Sequence, residues 1–317
     1  MIPDATVTNT VEVPASWSFD DFCLWMYCIV DDVWQQLAPL FVRPGPRPRC
    51  TDSELLAMCL IGECKGWDQE TELLSECNRA DMRALFPNVP TQSRFNRRRR
   101  ALMQGFNMLR KMVLGTLDVA LDRQTCIDSL PVPVVQFYYA PDAASEWKIN
   151  GAGFGRIASK KQVIYGYKLQ LLVTLGGVIL DFEMAPANFT DLQVGQELLQ
   201  EHQDIAAVAD KGYVSQPVAE QLLAGNGICL MTVPRANQRR QLPPSVAKLI
   251  NSVRQIIETV NGQLQEQFNI ERNHAHTFRG LCVRLYSKLA AHTLCLYINR
   301  CLGKADFLPI KELAFPI

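Results

Sequence analysis

The sequence is short of the features that usually place a protein quickly. Its formal net charge is zero, 32 Lys+Arg against 32 Asp+Glu, so total charge calls for neither a polyanionic nor a membrane partner. No apolar run approaches the ~20 residues that would span a bilayer, and no membrane partner is expected. The four histidines, His202, His274, His276 and His292, lack ligand spacing relative to any cysteine pair, and no Cys-x-x-Cys occurs among the eleven cysteines. A zinc site is therefore not expected. The odd cysteine count, with no signal peptide after Met1-Ile2-Pro3-Asp4, fits reduced core cysteines in a cytoplasmic protein. Internal repeats are absent. What remains is an ordinary soluble composition, 48% hydrophobic and 20% charged over 317 residues, enough for one large domain or two ordinary ones.

Charge becomes informative when it is located. From Arg94 to Lys111 there are seven basic residues (Arg94, Arg97, Arg98, Arg99, Arg100, Arg110, Lys111) and no acid. From Gln221 to Ile257 there are five more (Arg235, Arg239, Arg240, Lys248, Arg254), again without an acid. Two such tracts in a neutral chain point to local docking of a polyanion. The first tract lies on a helix expected to start at Thr91 and run to about Leu121, striped by Phe95, Leu102, Phe106, Leu109, Val113 and Leu117. Shorter helices precede it: one capped by Ser18, one opened by the capping box Thr51-Asp52-Ser53-Glu54, and one over Glu70 to Asn78. Short helices, a turn, then a helix with a basic leading end resemble a helix-turn-helix DNA reader. A merely solvated charged face is the plain alternative, but four consecutive arginines reach every side of a helix.

After Asp122 the periodicity changes. Thr125 to Ser129 reads as a short strand, residues 140–161 as a polar, glycine-rich mobile loop, and Val163–Thr174 with Val178–Met184 as a hairpin turned at Gly176-Gly177. A helix from Asp191, the strand Ile205–Ala209, a helix from Gln216, a strand Ile228–Val233 and a last long helix from about Ser245 complete an α/β layer. The strand Ile205–Ala209 is small and apolar throughout, as in a strand buried on both faces, and it ends at Asp210. A lone acid there would most simply cap its own turn. Asp128 also ends a buried strand, however, and Glu258 lies beside the packed stripe Val246, Ile250, Val253, Ile257, Val260, Leu264 of the last helix, one turn after Arg254, with which it can pair. Three acids able to meet at one sheet edge, flanked by basic tracts, suit divalent cations: Mg²⁺ prefers oxygen ligands and takes one or two carboxylates per ion. Two ions ~4 Å apart would serve in-line displacement at a phosphodiester, with Lys168 and Lys211 at the rim. Asp142, Asp181 and Asp191 are rival carboxylates, ranked lower; Asp191 is expected to cap the helix that follows it.

These residues resemble a known family. Cys-Ile-Asp128-Ser, Tyr165-Gly166-Tyr167-Lys168, Ala185-Pro186-Ala187-Asn188 with Asp191, Ala209-Asp210-Lys211-Gly212-Tyr213, and Arg254 with Glu258 look like the DDE transposases of bacterial insertion sequences, nearest the group called insertion sequence nine-eight-two. The resemblance covers roughly Leu121 to Arg300. It implies a ribonuclease-H-like catalytic domain (mixed sheet flanked by helices) over 122–300, after a helical, helix-turn-helix-like DNA-binding region over 1–121 and before a tail over 301–317. It implies that Asp128, Asp210 and Glu258 bind two Mg²⁺ ions, for which Mn²⁺ can substitute; the residues expected to meet DNA, from the basic tracts and the rim lysines, are Arg94, Arg97, Arg98, Arg99, Arg100, Lys168, Lys211, Arg235, Arg239, Arg240 and Arg254. The implied reaction is cleavage at terminal inverted repeats and joining of the 3′-hydroxyl ends to target double-stranded DNA, by a homodimer in the bacterial cytoplasm, at the nucleoid when bound. Two positions depart from the family pattern: Asn251 stands where a tyrosine is common and Gln265 where a lysine is common. An inactive DNA-binding derivative and a stand-alone metal-dependent nuclease are the alternatives.

Overall fold

The computed structural model describes residues 17–117, 119, 122–157, 161–234, 242–306 and 308–316. Helix α1 (Phe19–Leu37) begins at a reciprocal capping box, in which the Asp21 amide donates to Ser18 Oγ and the Ser18 amide to the Asp21 carboxylate. A second such box, Thr51 with Glu54, opens α2 (Asp52–Lys65). From Ser53 to Cys64 every residue of α2 is buried. A helix without a polar face has to be enclosed, and α2 is enclosed by α1, α3 (Glu70–Cys77), α4 (Gln92–Ala101) and α10 (Phe278–Cys301).

The single helix expected from Thr91 to about Leu121 is two, α4 and α5 (Met103–Thr116), broken at Leu102 where ψ is 12°. Leu102 is itself buried, and Gly105 just beyond it lies under the Trp34 indole, where a Cβ would come within 2.9 Å of the ring. Beyond the break α5 packs against α1. α10 has no counterpart in the sequence reading, which ended the long helices with the one near Ser245. Its buried positions, Leu281 through Asn299, surround the axis, so it carries no helical stripe to detect.

The sheet has six strands among the described residues. β3 (Gln162–Thr174) pairs antiparallel with β1 (Gln124–Val135) along one edge. Its other edge is shared by β2 (Gly153–Ile157) and β4 (Ile179–Pro186), both antiparallel. On the far side of β1 lie β5 (Ala206–Ala209) and β6 (Cys229–Thr232), both parallel to their neighbours. The mixed sheet flanked by helices and preceded by a helical region is the α/β layer expected. The hairpin turn falls where expected too, with Gly177 at φ +80° and Thr174 Oγ accepting from the Gly176 and Val178 amides.

Two expectations are corrected here. Residues 140–161 do not form a long loop: α6 (Ser145–Ile149) buries Trp147, and β2 adds a strand to the sheet. β1 does not stop at Ser129 but passes through Pro131 and Pro133. Arg123, of the same parity, points its carbonyl toward β5, where it accepts from the Ala206 amide at 2.7 Å. The prolines therefore face an edge that β5, paired only as far as Ile127, no longer occupies, and their missing N–H groups leave no ladder bond unmade.

The alternation of β1 assigns its side chains to opposite layers. Cys126, Leu130 and Val132 join the core shared by α9 (Pro244–Glu266), α10 and the N-terminal helices, while Ile127 joins the smaller core under α7 (Asp191–Gln200) and α8 (Gln216–Asn226).

Candidate active site

That alternation determines which way each acid looks. Asp128 shares the face of Cys126, whose Sγ reaches the Val253 carbonyl of α9 at 3.4 Å. Ser129 looks to the opposite face. In the parallel ladder Ile127 is registered with Ala209, so Asp128 and Asp210 follow as neighbours just past the last paired residues, Asp210 at the carboxyl end of β5 and Asp128 inside β1, which continues to Val135. Asp210 has the parity of Val208, which also packs in the α9 layer. β5 itself is buried on both faces at Ala207, Val208 and Ala209, as the run of small residues requires, and it terminates at the first residue that water can reach.

α9 supplies the third acid and two more groups. Arg254 Nη2 lies 3.3 Å from Asp210 Oδ1 and 3.4 Å from Glu258 Oε1, so one guanidinium joins two of the three acids. One turn beyond Glu258, Asn261 Nδ2 donates to Asp128 Oδ2 at 3.0 Å. Burial pushes the Asp128 carboxyl up to about 6; the Ser129 backbone N–H and Arg254 oppose the rise, and the Asp210 and Asp191 charges add to it. A carboxyl that resists ionisation beside other acids is one that a cation would relieve. Among the described residues no three His, Cys, Asp or Glu side chains converge closely enough to hold an ion as they stand: Glu258 is exposed and turned to Arg254.

On the other face of β1, Asp191 Oδ1 accepts from Ser129 Oγ and from Lys168 Nζ, both at 2.9 Å. The helix cap assigned to Asp191 belongs to Thr190, which forms a capping box with Gln193. Its free carboxylate instead fixes Lys168, whose Nζ also donates to the Phe189 carbonyl at 3.0 Å. Of the other rivals, Asp181 on β4 faces His202 at 3.4 Å and Asp142 ends a short 3-10 turn, each apart from the Asp128–Asp210 pair. Lys211 is exposed directly after Asp210.

The α4 arginines divide by environment. Arg94 and Arg97 face solvent and Arg100 is half-buried. Arg98 pairs with Asp52 at 2.7 Å. Arg99 is turned inward, its Nη2 2.7 Å from Glu63 and 3.0 Å from Ser287 Oγ, in a buried cluster completed by Lys288 at 2.6 Å from the same carboxylate. Those charges hold Glu63 below the usual carboxylate range despite a burial penalty that acts the other way. Arg235, Arg239 and Arg240 lie outside the described residues. Asn251 is exposed on α9, and Gln265 donates to Glu271 at 2.7 Å.

Sequence reasoning did not single out Asn261 or the Ser129–Asp191–Lys168 contact. The first had a signal, since Asn261 sits three residues after Glu258 on the same helix and hence on the same face. The second depends on a strand register that no local pattern reveals.

Asp128 and Asp210, where the parallel pairing of β1 with β5 ends, and Glu258 on the covering helix place acidic oxygens on one side of the sheet. Residues 149–278 match the family model described as a transposase DDE domain, consistent with a DDE transposase. The matched segment includes Asp210 and Glu258 and begins after Asp128. No curated protein and no solved structure matches the chain.

Proposed function

We propose that the protein is a DNA transposase whose Asp128, Asp210 and Glu258 form a divalent-cation site for cleavage and joining of DNA strands. The observation that carries this reading is the juxtaposition of Asp128 and Asp210 beneath α9, one residue past the registered pair Ile127–Ala209, within and beside the segment that matches the transposase DDE domain. The donor set fits a hard cation: carboxylate oxygens, an adjacent amide, and a carboxyl whose ionisation is disfavoured until positive charge arrives. Bound there, Mg²⁺ or Mn²⁺ would polarise the phosphodiester and help to generate the attacking oxygen. Asp128 is held within β1 and Asp210 directly after β5, so little reorganisation is asked of them. Glu258 would swing from Arg254 to join them, releasing the guanidinium for a DNA phosphate.

The sheet order and the helices on both faces support a ribonuclease-H-like reading of residues 122–300, and α3 and α4 a helix-turn-helix-like role within 1–121, with 301–317 as a tail. The arginines open to a phosphate on α4 are Arg94, Arg97 and Arg100, with Arg279 of α10 beside them, donating to the Arg100 carbonyl at 3.1 Å. The substrate in this reading is double-stranded DNA carrying the element's terminal repeats, handled by a homodimer in the bacterial cytoplasm.

Purified protein, Mg²⁺ and a labelled duplex spanning the DNA that flanks the gene provide the test. The expected result is nicking followed by a joined product, both absent with Asp210→Asn while binding persists. Tight binding without any cut in Mg²⁺ or Mn²⁺ would replace this reading with that of an inactive DNA-binding derivative. Nicking that never yields joined product would make the protein a nuclease.

A further inference from the structure

Asn261 is the one residue that α9 buries against the carboxylates without leaving its own polar atoms satisfied. It is 9% exposed. Its Nδ2 is used, donating to Asp128 Oδ2 at 3.0 Å, but its Oδ1 is buried with no hydrogen-bond partner. A buried amide oxygen left without a donor costs about 1–3 kcal/mol, and folded chains seldom accept that where an apolar side chain of the same size would do. Neighbouring positions on this helix, Ile257, Val260 and Leu264, are apolar and buried, so the layer around it would accommodate leucine. A carboxylate environment offers the amide oxygen no donor either. The group that would satisfy it is a cation, or the water a cation carries.

We infer that Asn261 is a positioning residue and additional oxygen donor of the cation site, holding one oxygen of Asp128 through Nδ2 and presenting its own Oδ1 to the hydrated ion. This rests on the cation-site reading above and adds a function to a residue outside the three acids. The Nδ2 bond holds the Asp128 carboxylate in place against α9. It also explains why a helix packed on the sheet keeps an amide in its apolar stripe.

The experiment uses the full chain and Mn²⁺ alone, with binding followed by calorimetry or by loss of the free-ion paramagnetic signal, and folding by urea denaturation in chelator. Two replacements of similar size separate ligation from packing. Asn261→Leu removes both polar atoms: it should stay folded in chelator, relief of the orphaned Oδ1 being set against loss of the Nδ2 donor to Asp128, yet bind Mn²⁺ about 10–100-fold more weakly, the loss typical when a group supporting a metal ligand is removed. Asn261→Asp keeps an oxygen but sets a second carboxylate against Asp128: it should fold less stably in chelator and bind Mn²⁺ at least as tightly as wild type. A merely structural asparagine would move both readouts together. Wild-type binding with an unchanged Asn261→Leu affinity overturns the role of Asn261 while leaving the three-acid reading intact. If Asn261→Leu does not fold, an Asn261→Asp variant that binds Mn²⁺ more weakly than wild type overturns it instead. No Mn²⁺ binding by the wild type would overturn the cation site itself, and this inference with it.

Discussion

Replacing Asp128 by asparagine should abolish strand cleavage and, without divalent cations, make the protein more stable at neutral pH. In the folded chain the Asp128 carboxyl is raised from 3.8 to about 6, chiefly by burial. The folded state thus binds that proton more tightly than the unfolded state, so the group favours folding below the unfolded value and loses that contribution as pH rises through about 6. At about 1.36 kcal/mol per factor of ten in proton affinity, the loss approaches about 3 kcal/mol once the folded carboxyl is fully ionised. Asparagine carries no such term and can still accept from Asn261 Nδ2. The stability gained by Asp128→Asn should therefore be about 1 kcal/mol at pH 4.5 and about 3 kcal/mol at pH 7.5. Urea denaturation of both proteins in chelator across that range measures it, each pH serving as its own control for every other titrating group. Millimolar Mg²⁺ at pH 7.5 should then stabilise the wild type and leave the variant where it was, because a ligand that binds only the folded state adds stability by mass action. A gain that is flat across the range, or a loss at pH 7.5, would refute the argument that Asp128 is a strained anion awaiting a cation.

Three further outcomes test the frame around the site. Glu63→Ala would leave Arg99 and Lys288 buried without their shared carboxylate and should cost about 3–5 kcal/mol of stability, read by urea denaturation; a loss below about 1 kcal/mol would mean that water reaches the cluster. Gly195→Ala places a Cβ 2.6 Å from Cε1 of the buried Tyr213, an overpacking worth about 1–3 kcal/mol, and thermal unfolding should show it. Replacing Arg94 and Arg97 with alanine should weaken DNA binding and flatten the logarithmic salt dependence by about 0.9 for each phosphate contact removed; an unchanged slope in binding titrations would remove α4 from the DNA surface.

The parts of the molecule that were legible in the sequence are those whose signal is local. Ser18 and Thr51 cap helices because a capping box needs only four consecutive residues, and Gly176-Gly177 turns the hairpin because the turn needs a positive φ just there. Asp128 and Asp210 could be singled out because each follows a run of buried residues, 125–127 and 207–209, although β1 itself continues past Asp128. What stayed hidden depends on neighbours far along the chain. α10 is enclosed on all sides, which erases its stripe, and β1 continues through two prolines only because β5 has already ended beside it. Arg99 shows the same limit in charge. Within a run of four arginines nothing distinguishes it, yet a glutamate 36 residues earlier and a serine 188 residues later draw it inside. A cluster of like charges on a helix therefore divides between interior and surface according to which partners the core supplies. The part of the tract left open to solvent on α4, and proposed above to meet DNA, is the part that Asp52 and Glu63 do not claim. By the same logic the candidate site is set from the interior outward: burial raises the Asp128 carboxyl, Asn261 donates to it, and Arg254 holds Asp210 and Glu258, the pair of acids that the proposed cation would take over.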